Sequence, residues 1–152
     1  MREKVQNILL FMLITVSTQA WSQATFDQQA VPAKGWDDYL NSLLRTIKYP
    51  ADAKRKELAG EVYIEFIVET DGTLSNSRVV SGVGKELDNE ALAAIISSPE
   101  TWVPAKQNNQ SVKQTLILPI VFILEGLKTD KKPLATKLKG EILKPIFITA
   151  YL

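Results

Sequence analysis

From Glu61 to Glu69 apolar residues recur at every second position: Val62, Ile64, Phe66 and Val68 share one parity, and Tyr63, Glu65, Ile67 and Glu69 the other. Side chains of a strand alternate between two faces, so this run predicts a strand with one face buried and the other at least partly wet. Asp71-Gly72 follows at once. An Asp-Gly pair between strand-like runs predicts a hairpin turn with positive φ at both central residues, and a return strand from about Thr73 to Ser81. The remaining elements must supply the layer that hides the Val62/Phe66 face.

Two segments have the spacing for it. Trp36, Tyr39, Leu40, Leu43, Leu44 and Ile47 recur on one helical face, with Asp37, Asp38, Asn41, Arg45 and Lys48 on the other. That polar face is mixed in charge, which predicts a core-packing helix and not one lying on a membrane. Pro50 is expected to end it, and Ala51 to Leu58 forms a short second helix stopped by Gly60. After Gly82 and Gly84, Lys85 to Ser98 reads as a third helix, bearing Leu87, Ala91, Leu92, Ala94, Ile95 and Ile96, with Pro99 beyond its end. Trp102-Val103-Pro104-Ala105 is an apolar turn, Lys106 to Ser111 a polar loop, and Val112 to Leu124 a long strand. Pro119 lies inside that strand and lacks a ladder donor, which predicts a place at the sheet edge.

The ends have a different grammar. Arg2 and Lys4, an apolar run from Ile8 to Val16, and the small-residue sites Thr18–Ala20 and Ser22–Ala24 read as a secretory signal over residues 1–24, cleaved after Ala20 or Ala24. An uncleaved inner-membrane anchor is the alternative, although the run falls short of the roughly 18 to 20 residues needed to span a bilayer. Residues 25–35 are polar, with Pro32 and Gly35 as breakers, and read as a flexible leader. Without cysteine there is neither a disulfide nor a lipid-modified N-terminal cysteine. Loss of Arg2, Glu3 and Lys4 leaves basic and acidic residues in equal number, which argues against a nucleic-acid-binding surface.

Chemistry is sparse. There is no His and no Cys, so the commonest general acid-base, the thiolate nucleophile and the usual metal ligands are missing. Glu65 and Glu69 share a strand face but lie roughly 13 Å apart at about 3.3 Å per residue, too far for a glycosidase pair. Ser75, Ser77, Ser81, Ser97 and Ser98 have no evident base, and Gly82-Val83-Gly84 is a turn signal, not a phosphate loop. The expectation is no catalytic, cofactor or metal residues and no enzyme. The informative feature is the sheet edge, which proteins either guard or use to bind a peptide.

Several residues in order now carry a resemblance: Tyr49-Pro50-x-x-Ala53, Gly60-x-Val62-x-Ile64-x-Phe66-x-Val68, Asp71-Gly72, Leu87-Asp88 ahead of Ala91-Leu92, Trp102-x-Pro104-Ala105, and Pro119-x-x-Phe122. Together they resemble the C-terminal domain of TonB, the energy transducer of Gram-negative bacteria. The resemblance implies a small two-layer α+β domain over residues 36–125, with a three-stranded antiparallel sheet and helices packed on one face. It implies a periplasmic location, or inner-membrane anchorage if the signal is retained. It also implies recognition of the TonB box of TonB-dependent outer-membrane receptors by strand addition along the last strand. Carried over, the partner-binding residues are Leu116, Ile117, Leu118, Ile120, Val121 and Phe122, with Thr46, Ile47 and Lys48 beside the bound peptide. The long Pro-rich spacer of a full TonB is missing, and Asn109 and Gln110 stand where a Gly is usual before the last strand.

Residues 126–152 follow as a charged connector and a strand-like tail. Ile146-Phe147-Ile148-Thr149-Ala150 resembles the apolar half of a TonB box, with Lys144-Pro145 in place of the acidic-Thr start. The tail is expected either as a fourth strand strapped on the domain or as a peptide mimic on the Val112 to Leu124 edge, of its own chain or of a second copy in a homodimer. An assembly or regulatory protein whose edge is permanently closed is the alternative to a receptor-binding module.

Overall fold

A computed structural model describes residues 26–126, 138 and 140–151 of the chain. The signal reading of residues 1–24 lies outside these, and among the described residues no helix is long and apolar enough to cross a membrane. The elements run β1 (Val31–Pro32), α1 (Trp36–Thr46), α2 (Ala51–Arg55), β2 (Gly60–Val68), β3 (Leu74–Ser81), α3 (Lys85–Ile96), β4 (Trp102–Val103), β5 (Ala105–Gln107), β6 (Gln110–Val112), β7 (Gln114–Glu125), β8 (Glu141–Ile142) and β9 (Ile146–Tyr151).

The β2 alternation holds: Val62, Ile64, Phe66 and Val68 are all fully buried. They face Tyr39 and Leu43 of α1 and Leu87, Ala91, Ala94 and Ile95 of α3, all members of one core cluster. Sheet order is β3-β2-β7, antiparallel throughout, with β8 and β9 both pairing the far side of β7. The expected α+β class and three-stranded antiparallel sheet are therefore present, enlarged by the tail into a mixed sheet. On the other face Glu65 is ion-paired to Arg78 at 2.6 Å and Glu69 to Lys113 at 2.7 Å. Both carboxylates act as partners for neighbouring cations.

Local geometry departs from expectation in four places. The hairpin is not a two-residue turn: Gly72 N–H donates to Glu69 C=O, Glu69 N–H to Thr73 C=O, and only Gly72, at φ 82°, takes positive φ. This is the three-residue connection in which a left-handed glycine follows a turn. Second, α1 stops at Thr46, so Pro50 does not terminate it; Ile47 is extended and Pro50 instead caps α2, which ends at Arg55 and not at Leu58, with left-handed Glu57 stopping it and Gly60 opening β2. Third, the long strand is broken at Lys113, and the polar stretch before it forms the tight hairpin β5-β6. Asn108 and Asn109 have φ of 50° and 62°, the left-handed pair a two-residue turn requires.

Finally, residues 26–35 are tied to the domain instead of forming a loose leader. β1 pairs with β4, Gln28 bridges Lys106, and Ala30 is buried. The tie exists because Trp102 of β4 is wedged among aromatics, with ring centroids 5.6 Å from Trp36, 5.1 Å from Tyr39 and 5.5 Å from Phe66.

Candidate functional site

β7 is the strand on which the expected partner residues lie, and it sits inside the sheet. Its near side pairs with β2 in unbroken register from Gly60↔Phe122 to Val68↔Gln114. Its far side pairs in parallel with the tail, Leu116↔Glu141 and Ile117↔Ile142 through β8, then Ile120↔Ile146 to Glu125↔Tyr151 through β9. The edge position inferred from Pro119 is thus corrected. Alternate residues of a strand direct their backbone groups to the same side. Ile117 C=O accepts from Leu143 N–H, so Ile117 and hence Pro119 face the tail. No β8 or β9 residue pairs with Pro119, which lies between the two tail strands where the ladder is interrupted. The missing donor therefore falls in a gap. Pro145 just precedes β9, so the tail likewise has no N–H to offer there.

Of the expected partner residues, Leu116, Leu118, Ile120 and Phe122 are buried toward the helices. Ile117 is buried on the opposite face, where Gly140 approaches so closely that a Cβ would stand 3.2 Å from its side chain. Val121 is half-buried. Thr46 is exposed at the end of α1 and its hydroxyl donates to Ser42 C=O at 3.0 Å. Ile47 is buried in the main core, and Lys48 N–H donates to the Glu90 carboxylate at 2.8 Å. The structure brings Ile47 and Lys48 to one groove with β9.

β9 continues the alternation of its neighbours: Ile146, Ile148 and Ala150 are buried on the helix side, while Phe147, Thr149 and Tyr151 are exposed. Between its outer side and the end of α1 runs an open groove of about 520 Å3, lined by Leu44, Ile47, Lys48, Tyr49, Lys54 and β9 itself. Among the described residues neither Lys48 nor Lys54 forms an ion pair. No described strand pairs with the outer side of β9.

Two contributors were not among the site residues expected from the sequence. Tyr49 packs its ring edge-on against Phe122 at 5.5 Å and joins Ala59, Leu124 and Ala150, and its hydroxyl donates to Leu58 C=O. Burial pushes that phenol above its ordinary pKa. The Tyr-Pro motif was the signal, since an aromatic before a proline is held extended. Gln114 is buried at the start of β7; its Oε1 accepts from Ala30 N–H at 2.7 Å, and its Nε2 donates to Gln29 and, at 3.0 Å, to Glu141. One amide ties both the N-terminal strap and β8 to the sheet, and nothing in its local sequence announces that. Among the described residues no group of His, Cys, Asp or Glu could hold a metal ion.

Two solution structures of the Helicobacter pylori TonB C-terminal domain are similar to the chain. The shorter is 23% identical, with a TM-score of 0.39, covering 55% of this chain and 88% of that one. The longer is also 23% identical, with a TM-score of 0.38, covering 62% and 86%. No curated protein matches. The family model described as Gram-negative bacterial TonB protein C-terminal matches residues 45–124, from the end of α1 to Leu124 in β7 and so more than half of the 152 residues, and the chain belongs to that family.

Proposed function

We propose that this protein is a periplasmic, non-enzymatic module of TonB-dependent transport that takes up an extended segment, the TonB box of an outer-membrane receptor, by strand addition on the far side of β7. The family it belongs to is transport-related and envelope-associated, and its domains interact with outer-membrane receptors. The observation that carries the reading is that the far side of β7 accepts a parallel strand over Ile120–Glu125, beside Ile47 and Lys48. Backbone hydrogen bonds supply affinity in such pairing, and pockets for alternate side chains supply selectivity. Leu116, Ile117, Leu118, Ile120, Val121 and Phe122 would form the receiving strand.

That flank is held by β9, so a receptor segment has to displace it. A second reading follows from the same pairing: an assembly or regulatory protein whose flank stays closed by its own tail or by a second copy. Titration of a TonB-box peptide into the isotope-labelled full chain and into its Ile148→Asp variant, followed by amide shifts, separates the two. Saturable shifts along Leu116–Phe122, stronger in the variant, support receptor recognition. A folded variant with a released β9 and no shifts on β7 refutes it in favour of the closed module.

A further inference from the structure

The strand already lying on β7 is a template for what else fits there. Resting on the reading above, the geometry points to a ligand of definite pattern: an extended segment parallel to β7, with β-branched aliphatic side chains at two alternate positions, a small one at the third, and free choice between them. Residues 146–151 are an internal copy of that ligand and keep the flank closed until displaced.

The pattern is read from three pairs. Ile146 lies beside Ile120 and Ile148 beside Phe122, and all four belong to the main core, which has room for branched aliphatic side chains there. Ala150 lies beside Leu124 and meets Ala59 and Tyr49. Tyr49 cannot swing aside to admit a larger group, because its ring edges Phe122 and its hydroxyl is bonded to Leu58 C=O. A longer side chain at that position overpacks a rigid corner. The intervening positions are undemanding: Phe147 is 56% and Tyr151 74% exposed, and Thr149 is exposed.

The closure is built to be reversible. It is parallel, slightly weaker per residue than antiparallel pairing. Its ladder is cut by the gap at Pro119, and the register slips by one residue there, from Ile117↔Ile142 to Ile120↔Ile146. β9 is thus a separate patch of six residues, releasable without unzipping β8.

The test uses a peptide of residues 144–151 in trans against three full-length chains: native, Ala150→Leu and Phe147→Ser. Ala150→Leu releases β9 by overpacking without adding a charge, and retention of the β2-β3 amide dispersion reports that the domain is folded. Expected is binding to the Ala150→Leu chain at least about tenfold tighter than to the native or Phe147→Ser chains. Peptides carrying the Ala150→Leu change should lose about tenfold or more on that released chain, and those carrying Phe147→Ser less than about threefold. Equal binding to all three chains, or equal sensitivity at both peptide positions, overturns the proposal. If the patterned peptide binds as expected and a TonB-box peptide does not, the receptor reading fails alone; if a TonB-box peptide binds without regard to these positions, this inference fails alone.

Discussion

Replacing Gly72 by alanine should be among the most damaging single-methyl changes this domain can suffer, and the structure separates the two reasons. Gly72 has φ +82°, and a Cβ there would stand 2.1 Å from the Trp102 carbonyl oxygen. Left-handed backbone costs an L-residue about 1–2 kcal/mol. The carbonyl has little freedom to retreat, because Trp102 N–H donates to Gly72 C=O at 3.0 Å and the indole is wedged among Trp36, Tyr39 and Phe66. Forcing a methyl into such a contact adds about 1–3 kcal/mol, for a total of about 2–5 kcal/mol. Gly35→Ala is the control: it has φ +91° but nothing within 4 Å of the new Cβ. Gly35 also caps α1, where alanine is the poorer residue, so the control overstates the backbone cost and the comparison is conservative. With a urea slope of about 2 kcal/mol per molar, Gly72→Ala should lower the midpoint by about 1–2.5 M and Gly35→Ala by about 0.5–1 M. Equal midpoints for the two variants would refute the claim that Trp102 holds the hairpin from outside.

Acid and the buried amide give two further outcomes. Thr73 holds the Asp71 carboxyl below its ordinary pKa, through its hydroxyl first and its backbone N–H second. A depressed folded pKa stabilises fully above the unfolded value of about 3.9 and is lost as pH falls through the lower folded one, so Asp71→Asn should flatten the fall of the urea midpoint below about pH 4. Glu69 adds to that fall in the same direction, through Lys113 and then Ser75, and remains in the variant. Gln114→Leu should cost about 1–3 kcal/mol by leaving Ala30 N–H without its acceptor, and should speed amide exchange at Ala30 and at β8. Unchanged protection at Ala30 would show that the strap is held by its backbone pairings to β4 and Lys106 without the amide.

The fold was legible wherever its cause is local. Period-two burial in β2, helical spacing in α1 and α3, and breakers at Gly82 and Gly84 depend on a residue and its near neighbours, and those elements stand where their residues put them; the second helix does not, ending at Arg55 with left-handed Glu57, and not Gly60, just beyond it. The asparagine pair at the β5-β6 turn is equally local, yet its stretch reads as a loop, although Asn tolerates left-handed backbone. The candidate site was half legible. The motifs from Tyr49 to Phe122 pointed to the strand, and the apolar run of the tail to another strand.

What the sequence alone determined, then, is a two-layer α+β domain of a recognisable family with a strand-like tail, because alternation, breakers and an ordered series of short motifs are properties of the chain itself. Only the tertiary structure decided that β7 is flanked on both sides. A missing donor says that one side of a strand cannot pair at that residue; it does not say that no strand lies beyond. Pro119 faces a one-residue slip between β8 and β9, so the strand read as an edge is interior. The Gln114 clamp and the Tyr49 corner are likewise decided by residues far apart in the chain meeting in space. Whether β7 is offered or withheld depends on how the tail packs, and no local pattern encodes that.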